Sequence, residues 1–237
     1  NGWDVGGSCR NQKKCNQMID VGIDAKVFDR DNPLVHPQDI LSGYSHILTT
    51  VPPDDTGDPV FDIHANHLNK ISSLKWFGYI STTSVYGNHA GNWVDEESLV
   101  KPSGERGKKR LLAENNWHSL MSTSFPVHIF RVSGIYGPNR NPFKKILAGN
   151  AYRVDNPNHL FSRIHVRDFS QVLYLSMLSP NPGRIYNVCD NEPATSSDVV
   201  EYAARLLGVD PPPLSALDDI EMSEMAKSFY SDSKKIR

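Results

Sequence analysis

The chain has 237 residues, enough for one sizeable core or for a large domain with a smaller one attached. Hydrophobic residues make up 38% and charged residues 22%, and 25 Lys and Arg against 27 Asp and Glu leave a net charge of −2. With no basic run of five, that balance argues against a nucleic-acid partner, and apolar runs such as 77–80 and 127–130 are far too short to span a membrane.

Short apolar runs alternate with helical patterns along the chain, the form taken by successive βα units around a mostly parallel sheet. Residues 3–8 read as a strand and 11–21 as a helix stopped by Gly22. Residues 25–28 form the next strand, 37–41 a short helix, and 46–51 a strand closed by Pro52-Pro53. A helix is predicted over 60–74 and a strand over 76–81, whose near-continuous apolar character suits burial on both faces. A long polar loop covers 87–102. A helix over 108–121 and a strand over 127–131 follow. Beyond that lie shorter elements: 142–147, a strand near 151–154, a helix over 168–178 and a strand over 184–189. The helix over 196–207 is capped by Ser196 or Ser197 and ended by Pro211-Pro212-Pro213. The layout divides into a nucleotide-binding domain over 1–140 and a smaller, interwoven α+β lobe over 141–237, which binds substrate.

Cys9, Cys15 and Cys189 cannot pair completely and lack metal-ligand spacing, so they read as idle thiols in a reducing, cytoplasmic compartment. His64 and His67 stand three apart on a helix. With no third ligand in view they read as a surface face, and no metal site is expected. No Gly-x-Ser-x-Gly elbow is present, which disfavours a serine hydrolase.

Four segments carry a family resemblance. They are Ile80-Ser81-Thr82-Thr83-Ser84-Val85-Tyr86-Gly87, the stretch from Pro102 to Ala113-Glu114, Phe130-Arg131-Val132-Ser133-Gly134-Ile135-Tyr136-Gly137-Pro138, and Ile164-His165-Val166-Arg167-Asp168. Their order and spacing resemble the extended short-chain dehydrogenase/reductases of the NAD-dependent epimerase/dehydratase kind. An atypical branch is indicated by Gly57-Asp58-Pro59, Trp93-Val94-Asp95-Glu96 and the doublet Arg106-Gly107. The resemblance implies a Rossmann-type doubly wound parallel sheet. Residues 2–10 are similar to that family's second strand. The chain, which does not open on Met, is therefore expected to be a fragment lacking the first strand and the phosphate-binding glycine loop. The strands near 3–8 and 46–51 are then expected on either side of an empty slot, without a shared ladder.

The family's Tyr-x-x-x-Lys pair is replaced, with Arg106 at the Tyr position and Arg110 at the Lys position. A guanidinium, with a pKa above about 12, cannot serve as acid or base near neutrality. The resemblance then leaves Thr82, Tyr86 and Tyr136 as catalytic candidates, the tyrosines having strand-end packing as their other reading. It places Ser8, Arg10, Thr50, Val51, Ser81, Arg110, Val132 and Ser133 at a cofactor, and Ser84, Arg163 and His165 at a substrate. His165 fits a core strand equally well, and Arg163 with Arg167 fits either a phosphate contact or a solvated pair. Arg10 and Ser8, where an acidic residue would hold a ribose hydroxyl, suit the 2′-phosphate of NADP, with NAD as the alternative. The implied activity is an NADP-dependent oxidoreductase or epimerase acting on a small hydroxyl- or carbonyl-bearing molecule, nucleotide sugars included. The competing reading is a non-catalytic NADP(H)-binding sensor or scaffold. The expected assembly is a monomer or homodimer.

Overall fold

The structure is a computed structural model that describes residues 2–223, 227 and 229–237. In chain order the described elements begin with β1 (Gly6–Cys9), α1 (Gln12–Ile19), β2 (Asp24–Val27), α2 (Pro37–Leu41), β3 (His46–Thr49) and α3 (Pro59–Leu68). Next come β4 (Trp76–Thr82), a 3₁₀ turn (Thr83–Tyr86), β5 (Trp93–Val94), α4 (Glu105–Ser119), β6 (Val127–Val132) and β7 (Gly134–Tyr136). The smaller elements are α5 (Pro142–Leu147), β8 (Arg153–Val154), β9 (Arg163–His165), α6 (Val166–Leu178), β10 (Ile185–Val188), α7 (Ser196–Leu207), β11 (Leu214–Ser215) and β12 (Lys235–Ile236).

Strands β3, β4, β6 and β10 form one parallel sheet in the order β10-β6-β4-β3, with helices on both faces. Alternation along β4 and β6 decides which side chain meets which layer. Phe77, Tyr79, Val127 and Ile129 face α3 and α4, where they bury Leu68, Ala113 and Trp117. Trp76, Phe130 and Val132 face the other way, toward Phe169, Val172, Leu173 and Met177 of α6. Trp76 lies flat over Gly78, where a Cβ would come within 2.1 Å of the indole, and its Nε1–H donates to Ser176 Oγ at 2.9 Å. This is the three-layer, doubly wound α/β arrangement of a Rossmann-type fold.

Strands β1 and β2 pair only with each other, in parallel. Among the described residues no ladder joins β1 to β3, in keeping with the separation expected for them. The seam between them is not an empty slot, however. The Trp3 and His46 rings meet edge to face at 4.7 Å, and the Tyr44 hydroxyl lies where a Cβ on Gly6 would sit.

Several sequence expectations need correction. The strand read over 3–8 begins at Gly6, and Trp3 and Val5 are exposed. The helix read over 60–74 stops at Leu68, because the chain must turn back to bury Ile71 and Leu74 before β4 starts at Trp76. It begins at Pro59, where buried Asp58 accepts from the Val60 and Phe61 amides as an N-cap. His64 is buried against Phe28 rather than lying on a surface face. The loop read over 87–102 contains β5, which pairs with β12 near the end of the chain. Ile236 of β12 enters a small core with Val85, Tyr86 and Val94.

Two constraints fix the start of α4 against the sheet. Gly107 packs on the 3₁₀ turn so closely that a Cβ would lie 2.9 Å from the Ser84 carbonyl oxygen. One helical turn past Arg110, the buried Glu114 carboxylate accepts from Arg131 Nη2 of β6 at 2.8 Å and from Ser81 Oγ of β4 at 2.5 Å. Such a pair is stable only while both partners are present, since a lone buried charge keeps its desolvation cost.

Glu114→Gln is therefore expected to destabilise the protein by about 3 kcal/mol or more, measured by denaturant unfolding, because it leaves Arg131 charged and buried. Gly87→Ala is expected to cost about 2 kcal/mol or more. Gly87 has φ +70°, and a Cβ there would fall 1.9 Å from the Lys101 carbonyl oxygen. A variant of either kind that unfolds with the parent would contradict the corresponding account.

Candidate active site at the carboxyl edge of the sheet

In an open α/β sheet, ligands bind beyond the carboxyl ends of the strands. Here that edge is made by Thr49, which ends β3, with Thr50 and Val51, by Thr82, which ends β4, with Ser84, by Ser133 and Tyr136 after β6, and by Cys189 after β10. Thr82 is half-buried and caps the 3₁₀ turn, its Oγ1 accepting from the Ser84 amide at 3.3 Å. With one lone pair so used, the hydroxyl hydrogen remains available to a substrate oxygen. Val132 stands opposite Thr82 in the β4–β6 ladder, and the Ser133 hydroxyl donates to the Val188 carbonyl at 2.9 Å.

The three catalytic candidates separate. Tyr86 is fully buried, and its hydroxyl donates to Asn187 Oδ1 at 2.8 Å and accepts from Arg131 Nη1 at 3.1 Å. Burial raises its pKa, opposed by Arg131. Tyr86 thus links the 3₁₀ turn to β6 and β10 and is buried in that network. Ser81 is likewise buried and committed to Glu114. Tyr136 is 39% exposed and pairs with His165 across the β7–β9 ladder, their rings meeting edge to face at 5.2 Å.

His165 caps α6, its Nδ1 accepting from the Arg167 amide at 3.3 Å. That bond assigns the proton of the neutral ring to Nε2, which faces Gly137. Arg163 lies with its guanidinium 3.5 Å over the Phe161 ring, and it donates to the main-chain oxygens of Phe161, Ala194 and Thr195. Burial brings its pKa down to about 10, opposed by Asp190. Most of its donors are therefore already used, and Arg167 nearby is the exposed one of the two.

Arg110 reaches under the site from α4, donating to the Ile80 carbonyl oxygen at 2.6 Å and to the Tyr79 hydroxyl at 3.2 Å. Arg106, one turn earlier, is exposed. At the far end of the edge, Ser8 and Arg10 are exposed beside Cys9, and the charge of Arg10 is felt by Asp29 after β2.

Two features went unread in the sequence. Thr49 is buried with its Oγ1 unpartnered at the end of β3, an orphaned polar atom at the carboxyl edge of the sheet. The Thr49-Thr50 doublet closing an apolar strand was the available signal. The second is the Glu114–Arg131–Tyr86–Asn187 network, whose members stand far apart in sequence. The orphaned Thr49, the half-buried Thr82 and the exposed Ser8 and Arg10 are the polar groups at this edge that could hold a nicotinamide dinucleotide. The chain contains no Gly-x-Gly-x-x-Gly turn to hold a pyrophosphate.

No family model matches the chain. It is similar to Protein YeeZ of Escherichia coli strain K12, 29% identical over 222 residues, covering 89% of this chain and 78% of that one. It is also similar to human dTDP-D-glucose 4,6-dehydratase, 28% identical over 143 residues but covering 39% of that protein. Among solved structures, UDP-glucuronic acid 4-epimerase from Bacillus cereus in complex with UDP-glucuronic acid and NAD superposes with a TM-score of 0.72 at 17% identity. That match covers 98% of this chain and 81% of the other, and it supports the fold. A functionally unknown conserved protein from Silicibacter pomeroyi DSS matches the whole chain at 40% identity and a TM-score of 0.91, covering 81% of its own length. The chain belongs to the family of that functionally unknown Silicibacter pomeroyi protein, and it shares its Rossmann-type fold with NAD-bound epimerase and dehydratase structures.

Proposed function

We propose that the protein is an NADP-dependent oxidoreductase or epimerase-like enzyme acting on a hydroxyl- or carbonyl-bearing substrate of the nucleotide-sugar class. The observation that carries this reading is the placement of Thr82. Its hydroxyl sits at the carboxyl edge of a Rossmann-type sheet, already accepting from the Ser84 amide and with its hydrogen free. Relatives that include nucleotide-sugar dehydratases and NAD-bound epimerases support the substrate class and the kind of cofactor. A nicotinamide dinucleotide, when bound, supplies the hydride chemistry.

The residues of the chain then divide the remaining work. Thr82 donates to the substrate oxygen and orients it, with Ser84 beside it. A hydroxyl is too weak a base to take the proton unaided. We assign that proton transfer to Tyr136 and His165, whose rings meet edge to face and are partly exposed, with His165 donating through Nε2. Arg110 holds the end of β4 in place through the Ile80 carbonyl and puts positive charge under the site. Arg10 selects a 2′-phosphate.

A second reading is favoured by Arg106 and Arg110 standing where the superfamily has its Tyr and Lys, and by the burial of Tyr86. On that reading the protein binds NADP(H) as a sensor without turning over.

Two variants test these assignments in full-length protein. Thr82→Val is expected to lower turnover roughly a hundredfold while leaving NADPH affinity unchanged. Full activity in that variant places the chemistry elsewhere. NADPH binding with no turnover across a panel of carbonyl compounds and nucleotide sugars favours the sensor. Arg10→Ala is expected to weaken NADP(H) binding about tenfold, the scale of one charge-assisted hydrogen bond, with NAD(H) binding unaltered. Equal loss for both dinucleotides removes the 2′-phosphate assignment.

A further inference from the structure

We propose that His64 is an acid-sensitive latch, which holds the segment over residues 33–36 against α3 when neutral and releases it on gaining a proton. The segment leads from the end of β2 into α2, and little else holds it down. Pro33, Val35 and His36 are exposed, whereas Leu34 is half-buried and its amide donates to His64 Nε2 at 3.4 Å. The chain before the segment is anchored without His64. Asp29 Oδ1 accepts from the Asp31 and Asn32 amides, and Arg30 is ion-paired with Asp54 and Asp62. After it, the His36 carbonyl oxygen accepts from the Asp39 and Ile40 amides at the start of α2. His36 itself stands at φ +52°, a left-handed conformation that costs a residue with a side chain free energy and that release relieves.

The Leu34 bond decides which form of the ring fits. A ring nitrogen accepts only when it carries no hydrogen, so neutral His64 keeps its proton on Nδ1. That Nδ1 is buried and meets no acceptor among the described residues. The residue is 3% exposed, with its ring 5.2 Å from Phe28 and 5.6 Å from His67, whose own Nδ1 is likewise buried and unpartnered. A second proton on His64 must therefore enter at Nε2. It turns the acceptor into a donor facing the Leu34 N–H and leaves a buried imidazolium with neither N–H bonded. A charge so placed is stable only once the segment lifts and water reaches it.

The titratable side chains on the elements around the ring are Asp29, Arg30, Asp31 and His36 of the loop, Asp39 of α2, and Asp62 and His67 of α3. Arg30 and Asp62 are bonded to each other, and among the described residues the one charge that acts on His64 is that of His67. Burial first, then His67, brings the His64 pKa below its ordinary value. The closed form thus binds fewer protons than the open form. Closure is complete above about pH 6.5, the ordinary histidine value, and weakens as pH falls below it. Until the closed form itself titrates, each pH unit multiplies the open fraction about tenfold.

Hydrogen–deuterium exchange is followed from pH 7.5 to pH 5, corrected for the intrinsic rate at each pH. The amides of 34–36 are expected to lose protection about tenfold per pH unit below about pH 6.5, while α4 keeps its protection. His64→Gln offers the Leu34 amide an acceptor that does not titrate, and it is expected to keep the segment closed throughout. In the unsubstituted protein, the His64 ring and the Leu34 amide are expected to titrate together by NMR, which tests the latch even if the variant fails to fold. Exchange at 34–36 that ignores pH overturns the proposal. So does an acid response that survives His64→Gln, separate titration of the ring and the amide, or loss of α4 protection at the same midpoint.

Discussion

Glu114 and Arg131 face one another in a place from which water is excluded, and five elements meet around them. Glu114 arrives on α4 and Arg131 on β6. Ser81 of β4 adds a third donor to the carboxylate, while the free side of the guanidinium holds the Tyr86 hydroxyl at the end of the 3₁₀ turn. Tyr86 passes the connection to Asn187 of β10. Each bond is charge-assisted or shielded from solvent, and together they satisfy nearly every polar atom that burial would otherwise leave exposed to a low-dielectric surrounding. The carboxyl edge of the sheet has its shape because this arrangement fixes how α4 and the 3₁₀ turn sit above it. Thr82 and Ser84 inherit their positions from it without taking part.

The same arrangement explains how Arg110 is tolerated in a position under the site. Its guanidinium is spent on the Ile80 carbonyl and the Tyr79 hydroxyl, both belonging to β4, so it works as a bracket between helix and strand. Both bonds come from one nitrogen, Nη1, which bridges the two acceptors on the strand.

The central architecture was legible in the sequence because burial on both faces writes itself as continuous apolar runs, as in 76–81 and 127–131, and because Pro37 opens one helix, whereas the helix over 196–207 is capped by Thr195 in a capping box with Asp198, not by Ser196 or Ser197, and ends at Gly208 ahead of the prolines. What escaped reading depended on partners far away along the chain. Val94 and Ile236 look like ordinary residues in polar stretches until β5 and β12 pair. Tyr86 reads as a catalytic phenol when only its neighbours are seen, since nothing local shows that Arg131 and Asn187 close over it. His64, three residues from His67, reads as a surface histidine until Phe28 is found against it.

The pairing of β12 with β5 also bears on the order in which the protein can be finished. Ile236 fills the small core around Val85 and Tyr86, its amide donates to Ser162 Oγ, and Arg237 is bonded through its carbonyl to Asn187 and through its side chain to Asp95. A chain emerging from the ribosome can assemble β3, β4 and β6 early, because those strands and their helices are close in sequence. The pocket around Tyr86 must wait for residues made long after it. Until they arrive, its apolar lining stays open to water and to other nascent chains, so a stretch synthesised about 150 residues later acts as the closing stitch of the region around Tyr86.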